Sequence, residues 1–452
     1  KYTGKYNKTR EDTKTNLDFN EEFTTEFLEE RNELIDHKAV YSNKFEENKA
    51  LVLTGRFIEE LKPQNYRVSQ FFFEDLFPEI GEISDVSQIS KNKMQFAGIE
   101  GHLFSKTEIG NLLELKAGYT FRKDNLTSQL FLEDENVVIA PEKYSNNTIY
   151  KTNDLYFTSK FVQKINKLSI IGNLDFHQFH NQLAFGDEES SIDSPFFVNP
   201  NLKLEWRINS KNKVHSSYSY NATNANILDL HNNFILTGYR SFSRGIGAMD
   251  QTDASSFNIG YKLGNWDNLF SATTSLNYSN SHNYFSNNLI IDPNFSLDSK
   301  ILIKNKIMLM GDVNIDRYFP KYSTNVKLNL SFVKSEYENI VNDVSRNVQF
   351  GNYNYGMEFR SGFTGMFNFN FGTSWKYNKI ISGIETSFTD NVSFLTLNFM
   401  ANEHLNFEIE SERYLYGNLS KNKNEYYFLD FNATYSLNKK LSFSLHGKNL
   451  FK

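Results

Sequence analysis

Two histidines and an aspartate lie close together in the sequence and could bind a metal ion. His177 and His180 form a His-x-x-His element, and Asp175 lies two residues before it. Imidazole and carboxylate groups together suit several transition metals. On a β-strand, however, a spacing of three residues puts two side chains on opposite faces. The pattern therefore favours solvated loop histidines over a metal site.

Acidic or amide side chains recur at every second residue in two other segments. Paired carboxylates can serve acid–base catalysis or bind cations. On strands, the same rows form the ordinary water-facing wall of a barrel, and the spacing of two favours this wall. No nucleophile–base signature accompanies them, so we expect neither an enzyme nor a cofactor. The rows are Glu408, Glu410 and Glu412, and Asp312, Asn314 and Asp316.

A segment around residues 221–250 contains the triplet Gly245-Ile246-Gly247. No strand–turn–helix pattern surrounds it, so the triplet is not a phosphate-binding loop. The length of the segment indicates either a ligand-binding or lid role at an outer surface, or a mobile loop.

Strict alternation of apolar and polar residues is the main signal of secondary structure. Between Asn325 and Val333, for example, the apolar residues are even-numbered and the polar ones odd-numbered. A barrel wall then has a lumen face and a lipid face. The predicted lumen-facing residues are Lys203, Glu205, Arg207, Asp312, Asn314, Asp316, Glu408, Glu410 and Asp430. The predicted lipid-facing aromatic residues are Trp206, Phe332, Phe369, Phe371, Trp375, Tyr377, Phe431 and Tyr435.

The alternating segments are about ten to sixteen residues long, which suits tilted strands that cross a bilayer. Strands of soluble sheets are usually about five or six residues long. Residues 300–317 test this interpretation, because Lys304–Lys306 could form a turn. One row of apolar residues keeps to odd numbers across the whole segment, so the pattern predicts one long strand with Asn305 on the outward face. The row is Ile301, Ile303, Ile307, Leu309, Val313 and Ile315.

The composition combines low hydropathy with many aromatic residues. The mean hydropathy is −0.53, yet aromatic residues make up 15% of the chain. Disordered chains are poor in aromatic residues, so the polar and aromatic residues must be separated in space. No apolar run is long enough for a transmembrane helix. A net charge of −6 without a basic stripe gives no reason to expect binding of nucleic acid. The absence of cysteine excludes thiol chemistry.

Connections between the predicted strands alternate between short turns and long loops, as in outer-membrane barrels. The predicted short turns are 60–65, 105–110, 164–167, 209–213, 264–268, 319–323, 361–365, 401–404 and 438–440. The predicted long loops are 76–91, 123–149, 179–195, 222–252, 283–299, 335–346, 379–389 and 417–424.

The sequence therefore predicts an all-β fold, a transmembrane antiparallel β-barrel that occupies residues 1–452 as one domain. It predicts about twenty strands, including early ones near 16–28 and 34–45. Strand 16–28 would run inward and strand 440–450 outward. We expect one strand before the first and one after the last, for a total of about twenty-two.

The carboxyl-terminal sequence His446-Gly447-Lys448-Asn449-Leu450-Phe451-Lys452 resembles the penultimate strand of TonB-dependent receptors. The stretches 199–204 and 312–320 also resemble this family in its Bacteroidetes form. The resemblance implies an outer-membrane transporter whose barrel encloses a plug domain and is energised by TonB. Neither a TonB box nor a plug precedes residue 16, so the resemblance covers the barrel portion.

The function predicted from the resemblance is uptake of a scarce ligand such as a siderophore, metal complex, peptide or glycan. The implied location is the bacterial outer membrane. The implied partners are lipid or lipopolysaccharide, the plug, TonB and, in the SusC-type variant, a surface lipoprotein. The alternatives are a passive porin or secretion channel and a structural barrel within a larger assembly.

Overall fold

The chain forms one large antiparallel β-sheet, which confirms the predicted all-β fold. The computed structural model describes residues 1–19, 22–70, 77, 83–134, 137–265, 267, 269–421, 423–438 and 440–450. The sheet has 23 strands. Within these ranges, no helix has the length and apolar character needed to cross a membrane. Phe451 and Lys452 of the carboxyl-terminal sequence lie outside the described residues, as do parts of 76–91, 264–268 and 438–440.

Nineteen long strands form the wall of the sheet. They are β1 (Tyr2–Phe19), β2 (Glu22–Glu46), β3 (Lys49–Ser69), β4 (Asp85–Lys106), β5 (Leu112–Asp134), β7 (Ser145–Ile165), β8 (Leu168–Phe185), β10 (Phe196–Arg207), β11 (Asn212–Asn224), β14 (Gln251–Asn265), β15 (Phe270–Ile291), β16 (Ser296–Phe319), β17 (Thr324–Val341), β18 (Val344–Ser361), β19 (Phe367–Ser382), β20 (Ile384–Asn402), β21 (Leu405–Leu415), β22 (Glu425–Asn438) and β23 (Leu441–Gly447).

Short elements lie in the connections at one end of the wall. The 3-10 turn Pro320–Tyr322, between β16 and β17, lies at the other end. The short elements at the first end are β6 (Val137–Ile139), β9 (Ser191–Asp193), α1 (Ile227–Leu230), β12 (Ile235–Gly238) and β13 (Ser241–Arg244), with a 3-10 turn at Glu142–Tyr144. We call this the outer end, because the longest connection, residues 225–250, lies there. The opposite end is the inner end.

The predicted early strands at 16–28 and 34–45 are wrong. The chain instead forms β1 and β2, which pair antiparallel from Tyr2 opposite Ala39 to Phe19 opposite Glu22. Their central parts carry ion pairs on the face that is apolar nearer the inner end, such as Lys8–Glu33 and Arg10–Asp12. Charge on both faces removes the alternation that the sequence analysis relied on.

The predicted turn at 60–65 is also wrong, because these residues continue β3. This segment contains Pro63, and proline cannot donate to a ladder. In the structure, Pro63 lies opposite Lys91 of β4, and the pairing with β2 is interrupted between Glu30 and Glu33. The sheet therefore accommodates Pro63 at a local gap in the ladder.

Several predicted long loops are mostly strand. In 335–346, the turn is only Asn342–Asp343, and both residues have positive φ as a type I′ hairpin requires. In 379–389, the turn is Gly383 alone, with φ of 76°. The wall strands thus extend into the segments predicted as loops, and the strict alternation of short and long connections fails at the outer end.

Both edge strands run from the inner end towards the outer end, so the predicted inward direction of the first strand is wrong. Among the described residues, β1 pairs only with β2, and β23 pairs only with β22. Neighbouring wall strands are antiparallel throughout, whereas β1 and β23 run in the same direction. A closed antiparallel barrel would therefore need an odd number of further strands between β23 and β1. The total of twenty-two stays a prediction.

The single strand predicted across residues 300–317 is confirmed as part of β16. Its pairing with β15 keeps one register on both sides of Asn305, although Asn305 itself has φ of 64°. Asparagine tolerates this left-handed conformation better than other residues with a Cβ atom. The strand therefore absorbs a local kink without changing which side chains face which way.

A branched residue at position 305 should destabilise the protein. We expect Asn305→Val to lower the free energy of unfolding by about 1–2 kcal/mol, the cost of left-handed backbone for such a residue. Asn305→Gly should leave it nearly unchanged. Urea unfolding in detergent, followed by circular dichroism, measures both. Equal stability of the two variants would show that the left-handed backbone at position 305 does not disfavour a branched residue.

Candidate functional site

The pairing register divides the predicted site residues between two faces of the sheet. Followed from strand to strand, it puts the nine predicted lumen-facing residues on the face that also carries His177 and Lys300. The eight predicted lipid-facing aromatic residues share the opposite face, where Trp206 is 51% exposed. Which face meets water and which meets lipid stays a prediction. We call the face with Lys300 the inner face.

Residues 225–250, which connect β11 to β14, fold against the inner face and form what we call the lid. Asn226 caps α1, because its side chain accepts a hydrogen bond from Leu228 N at 2.9 Å. Ile246 N donates to Asp229 O at 2.7 Å and closes the loop on itself. A Cβ atom on Gly245 would lie 2.6 Å from the carbonyl oxygens of Asp229 and His231. Gly245 therefore allows close backbone packing.

The lid contacts wall strands that are far apart in the sheet. Leu236 N donates to Gln88 Oε1 of β4 at 3.2 Å, and Asn233 N donates to Asn146 Oδ1 of β7 at 2.9 Å. On its other side, β13 pairs in parallel with the first residues of β16. Strands β4 and β16 can reach the same loop only because the sheet curves around it.

Two apolar clusters hold the lid against the wall. In the first, Phe242 is 1% exposed and packs its ring 5.3 Å from that of Tyr144. The second surrounds Leu230 of the lid. The buried members are Val68, Phe77, Ile83, Val86, Leu130, Leu132, Leu236 and Phe242 in the first cluster, and Leu126, Tyr150, Leu183, Ala225, Ile227 and Leu230 in the second.

Strand β5 shows how the sequence encodes this contact. Nearer the inner end, its apolar residues are odd-numbered, such as Leu113 and Tyr119, and are exposed on the outward face. Nearer the outer end they are even-numbered, namely Leu126, Leu130 and Leu132, and they are buried. The pairing with β4 has no register shift between them. The apolar residues therefore change face where the lid begins, a signal that the sequence analysis missed.

Two polar groups anchor the lid on its buried side. Asp229 forms an ion pair with Lys300 of β16. His231 is 4% exposed, and its Nε2 atom lies 3.4 Å from Ser243 O. Burial lowers the pKa of the His231 imidazole from its usual value of 6.5. Backbone hydrogen bonds to Ser243 and Leu228 oppose this change, Lys300 adds to it, and Asp229 opposes it. The docked lid thus favours the neutral ring.

Docking of the lid should weaken in acid. The undocked loop binds a proton at higher pH than the docked one, so His231 stabilises docking above pH 6.5 and loses this contribution as the pH falls below it. Trypsin cleavage at Arg240 and Arg244 measures opening. The ratio of the wild-type cleavage rate to that of His231→Asn cancels the pH dependence of trypsin itself. This ratio should rise as the pH falls from 7.5 to 5.5. A constant ratio would contradict this role of His231.

A chamber of 680 Å³ lies between the lid and the first wall strands. Its size falls within the range of about 300–1,000 Å³ for small-molecule sites. Strands β1 to β5 form one side, and the lid with Lys300 forms the other. The lining includes Glu11, Glu30, Asn32, Lys62, Gln64, Asn92, Leu126, Leu228, His231 and Ile235.

A second cavity, of 540 Å³, lies on the inner face of β4, β5, β7 and β8 and is strongly charged. It contains His177, whose Nδ1 atom lies 2.9 Å from Asp154 Oδ2. His180 lies on the other face, 3.1 Å from Ser194 Oγ. The structure thus separates the two histidines, and it places no group of three or more potential metal ligands together within the described ranges.

The other predicted lumen residues form pairs or rows along the wall. Glu205 lies 2.7 Å from Lys203 Nζ and 2.9 Å from Lys213 Nζ, while Glu410 lies directly opposite Asp430 in the register. Ser275 donates a hydrogen bond to Asp312. These residues lie on strands β10, β16, β21 and β22 and do not line the chamber under the lid.

Comparison with known proteins gives only distant similarities. No family model and no curated protein matches the chain. Among solved structures, the chain is similar to the siderophore receptor PiuA from Acinetobacter baumannii, with 10% identity and a TM-score of 0.45. The match covers 93% of this chain and 65% of PiuA. The match with the ferric citrate transporter FecA has 11% identity and a TM-score of 0.46, and covers 98% and 70% of the two chains.

The match with the copper transporter OprC has 8% identity and a TM-score of 0.41, and covers 99% of this chain and 76% of OprC. The chain thus spans less than two thirds of PiuA and somewhat more of FecA and OprC. Identities and scores this low describe a general likeness of architecture and identify neither a ligand nor an activity.

Proposed function

We propose that the chain forms the wall of a bacterial outer-membrane transporter that takes up a scarce ligand such as a siderophore, metal complex, peptide or glycan. The observation that carries the proposal is the lid, which is docked on a charged inner face and covers a chamber. A polar inner face and an apolar outer face suit a membrane barrel. The location of the chamber near the outer end suits capture of a ligand from outside.

In this proposal, the barrel works with a plug and is energised by TonB. The support is the sequence near the carboxyl terminus, His446 to Leu450, which resembles TonB-dependent receptors. Lipid or lipopolysaccharide would surround the wall, and a surface lipoprotein would join it if the SusC-type variant applies. A plug would contact the acidic row at Glu408 and Glu410, where a basic surface would be complementary.

A passive channel is the second candidate, and the lid itself favours it. A loop that folds into the lumen from the wall narrows a pore without any plug. Such a protein would conduct ions as purified, whereas a plugged transporter would not. A structural barrel would neither conduct nor take up a ligand.

The test combines mass spectrometry of the native protein with planar-bilayer recordings. A plug-sized segment of about 100–200 residues, the size of an ordinary domain, in the same or a co-purified chain, together with a closed pore, would support the gated transporter. Steady conductance without any plug would support the passive channel. A closed pore without a plug would reject both.

A further inference from the structure

The inner face of β21 and β22 changes from acidic to aromatic towards the outer end. Glu410 lies opposite Asp430 in the register, whereas Tyr414 lies opposite Tyr426 nearer the outer end. These rings stay accessible, unlike the apolar residues of β5 under the lid, and Tyr426 is 43% exposed. With the connection between the two strands they line a pocket of 730 Å³. The aromatic members of its lining are Tyr414, Tyr416, Tyr426 and Phe428.

Contacts among the rings and with the backbone fix the walls of this pocket. The Tyr414 and Phe428 rings are 5.8 Å apart with their planes at 85°, and the Tyr416 and Tyr426 rings are 5.8 Å apart at 69°. The Tyr426 hydroxyl donates a hydrogen bond to Lys423 O at 3.2 Å. Because paired rings are steeply inclined to each other, the pocket presents ring faces from more than one direction.

Glu412 supplies a negative charge in the same lining. Its Oε2 atom accepts a hydrogen bond from the Tyr414 hydroxyl at 2.9 Å. The described lining contains no lysine, arginine or histidine. Arg413, the next residue, lies on the opposite face and pairs with Glu425 at 3.0 Å. The pocket therefore combines aromatic faces with a carboxylate that lacks a cationic partner among the described residues.

This combination fits an organic cation better than a sugar or a metal ion. The face of an aromatic ring attracts a cation, and rings that surround a quaternary ammonium group bind it in this way. A metal ion requires several oxygen or nitrogen ligands, and one carboxylate does not supply them. A sugar can stack on the rings, but it gains nothing from the charge of Glu412 or of the acidic row beside it.

We propose that this pocket binds a small quaternary ammonium compound, with the faces of Tyr416 and Tyr426 against its methyl groups and Glu412 as the counter-charge. The proposal goes beyond the uptake function, because the pocket shares no lining residue with the chamber under the lid. Its occupation requires neither a plug nor transport.

The test is calorimetric titration of the purified full chain with choline, in a polyoxyethylene detergent that carries neither a sugar nor an ammonium group. Dimethylbutanol is the matched neutral probe, because a carbon atom replaces the charged nitrogen of choline, and maltotetraose is the sugar probe. We expect choline to bind about tenfold more tightly than dimethylbutanol, and maltotetraose not to bind.

Tyr416→Leu and Tyr426→Leu should each weaken choline binding about fivefold, because leucine is apolar but has no ring face. Glu412→Gln should weaken it similarly, since it removes the charge and keeps the shape. Tyr435→Leu is the matched control, because Tyr435 lies on the same strand as Tyr426 and is also 43% exposed, but faces outward. Its affinity for choline should equal that of wild type.

Equal affinity for choline and dimethylbutanol would overturn the preference for a cation, and binding of maltotetraose in place of choline would overturn the ligand class. Absence of choline binding, or equal weakening by Tyr435→Leu, would overturn the site. If the leucine variants fail to fold, the exposed and isosteric Glu412→Gln decides, and unchanged affinity in it would also overturn the proposal. Bilayer recordings on the same samples test the uptake function separately.

Discussion

Removal of the lid should raise the single-channel conductance of the reconstituted protein severalfold. Asn224 and Gln251 face each other in the register of β11 and β14, so a two-residue Asn-Gly turn can join them as a tight hairpin. The wall strands keep their pairing, and the loop that narrows the lumen is lost. Planar-bilayer recordings in KCl measure the effect.

The comparison requires a channel that conducts, so any plug domain must first be removed from both proteins. A matched control replaces residues 417–424, in the connection between β21 and β22, with a similarly short turn, because the described residues of this connection do not line the chamber. Its conductance should equal that of wild type. Equal conductance of wild type and the lid-deleted protein would show that the lid does not restrict the lumen.

Phe242→Ala should undock the lid. The Phe242 ring is almost fully buried and lies 5.3 Å from the ring of Tyr144 and 6.4 Å from that of Phe77. Truncation of a buried phenylalanine to alanine costs about 3–5 kcal/mol. Because this cost falls on the docked state, trypsin cleavage at Arg240 and Arg244 should accelerate about 100-fold or more if cleavage follows the open population.

Phe196→Ala is the control, because Phe196 lies on β10 and is 59% exposed. Its cleavage rate should match that of wild type. Heat-modifiable mobility on gels checks that the wall of each variant remains folded. If Phe242→Ala were cut no faster than wild type, the apolar cluster would not be what holds the lid.

Much of the wall could be predicted from the sequence, because alternation requires only that one face be apolar and the other polar. Residues 300–317 illustrate this, since one unbroken phase correctly predicted one strand through Asn305. The central parts of β1 and β2 could not be predicted, because both faces carry charge there. At residues 60–65, the predicted turn is replaced by a ladder with β4, which no neighbouring residue in the sequence reveals.

The sequence by itself determined the antiparallel sheet and the division of its residues between two faces, because both follow from the period of two between neighbouring side chains. Only the tertiary structure decided the candidate site. His177 and His180 are close in sequence yet lie on opposite faces, whereas Asn32, Asn92 and His231 are far apart in sequence yet line one chamber. The physical reason is that the chamber depends on curvature of the sheet and on docking of the lid, and both arise from contacts between distant strands.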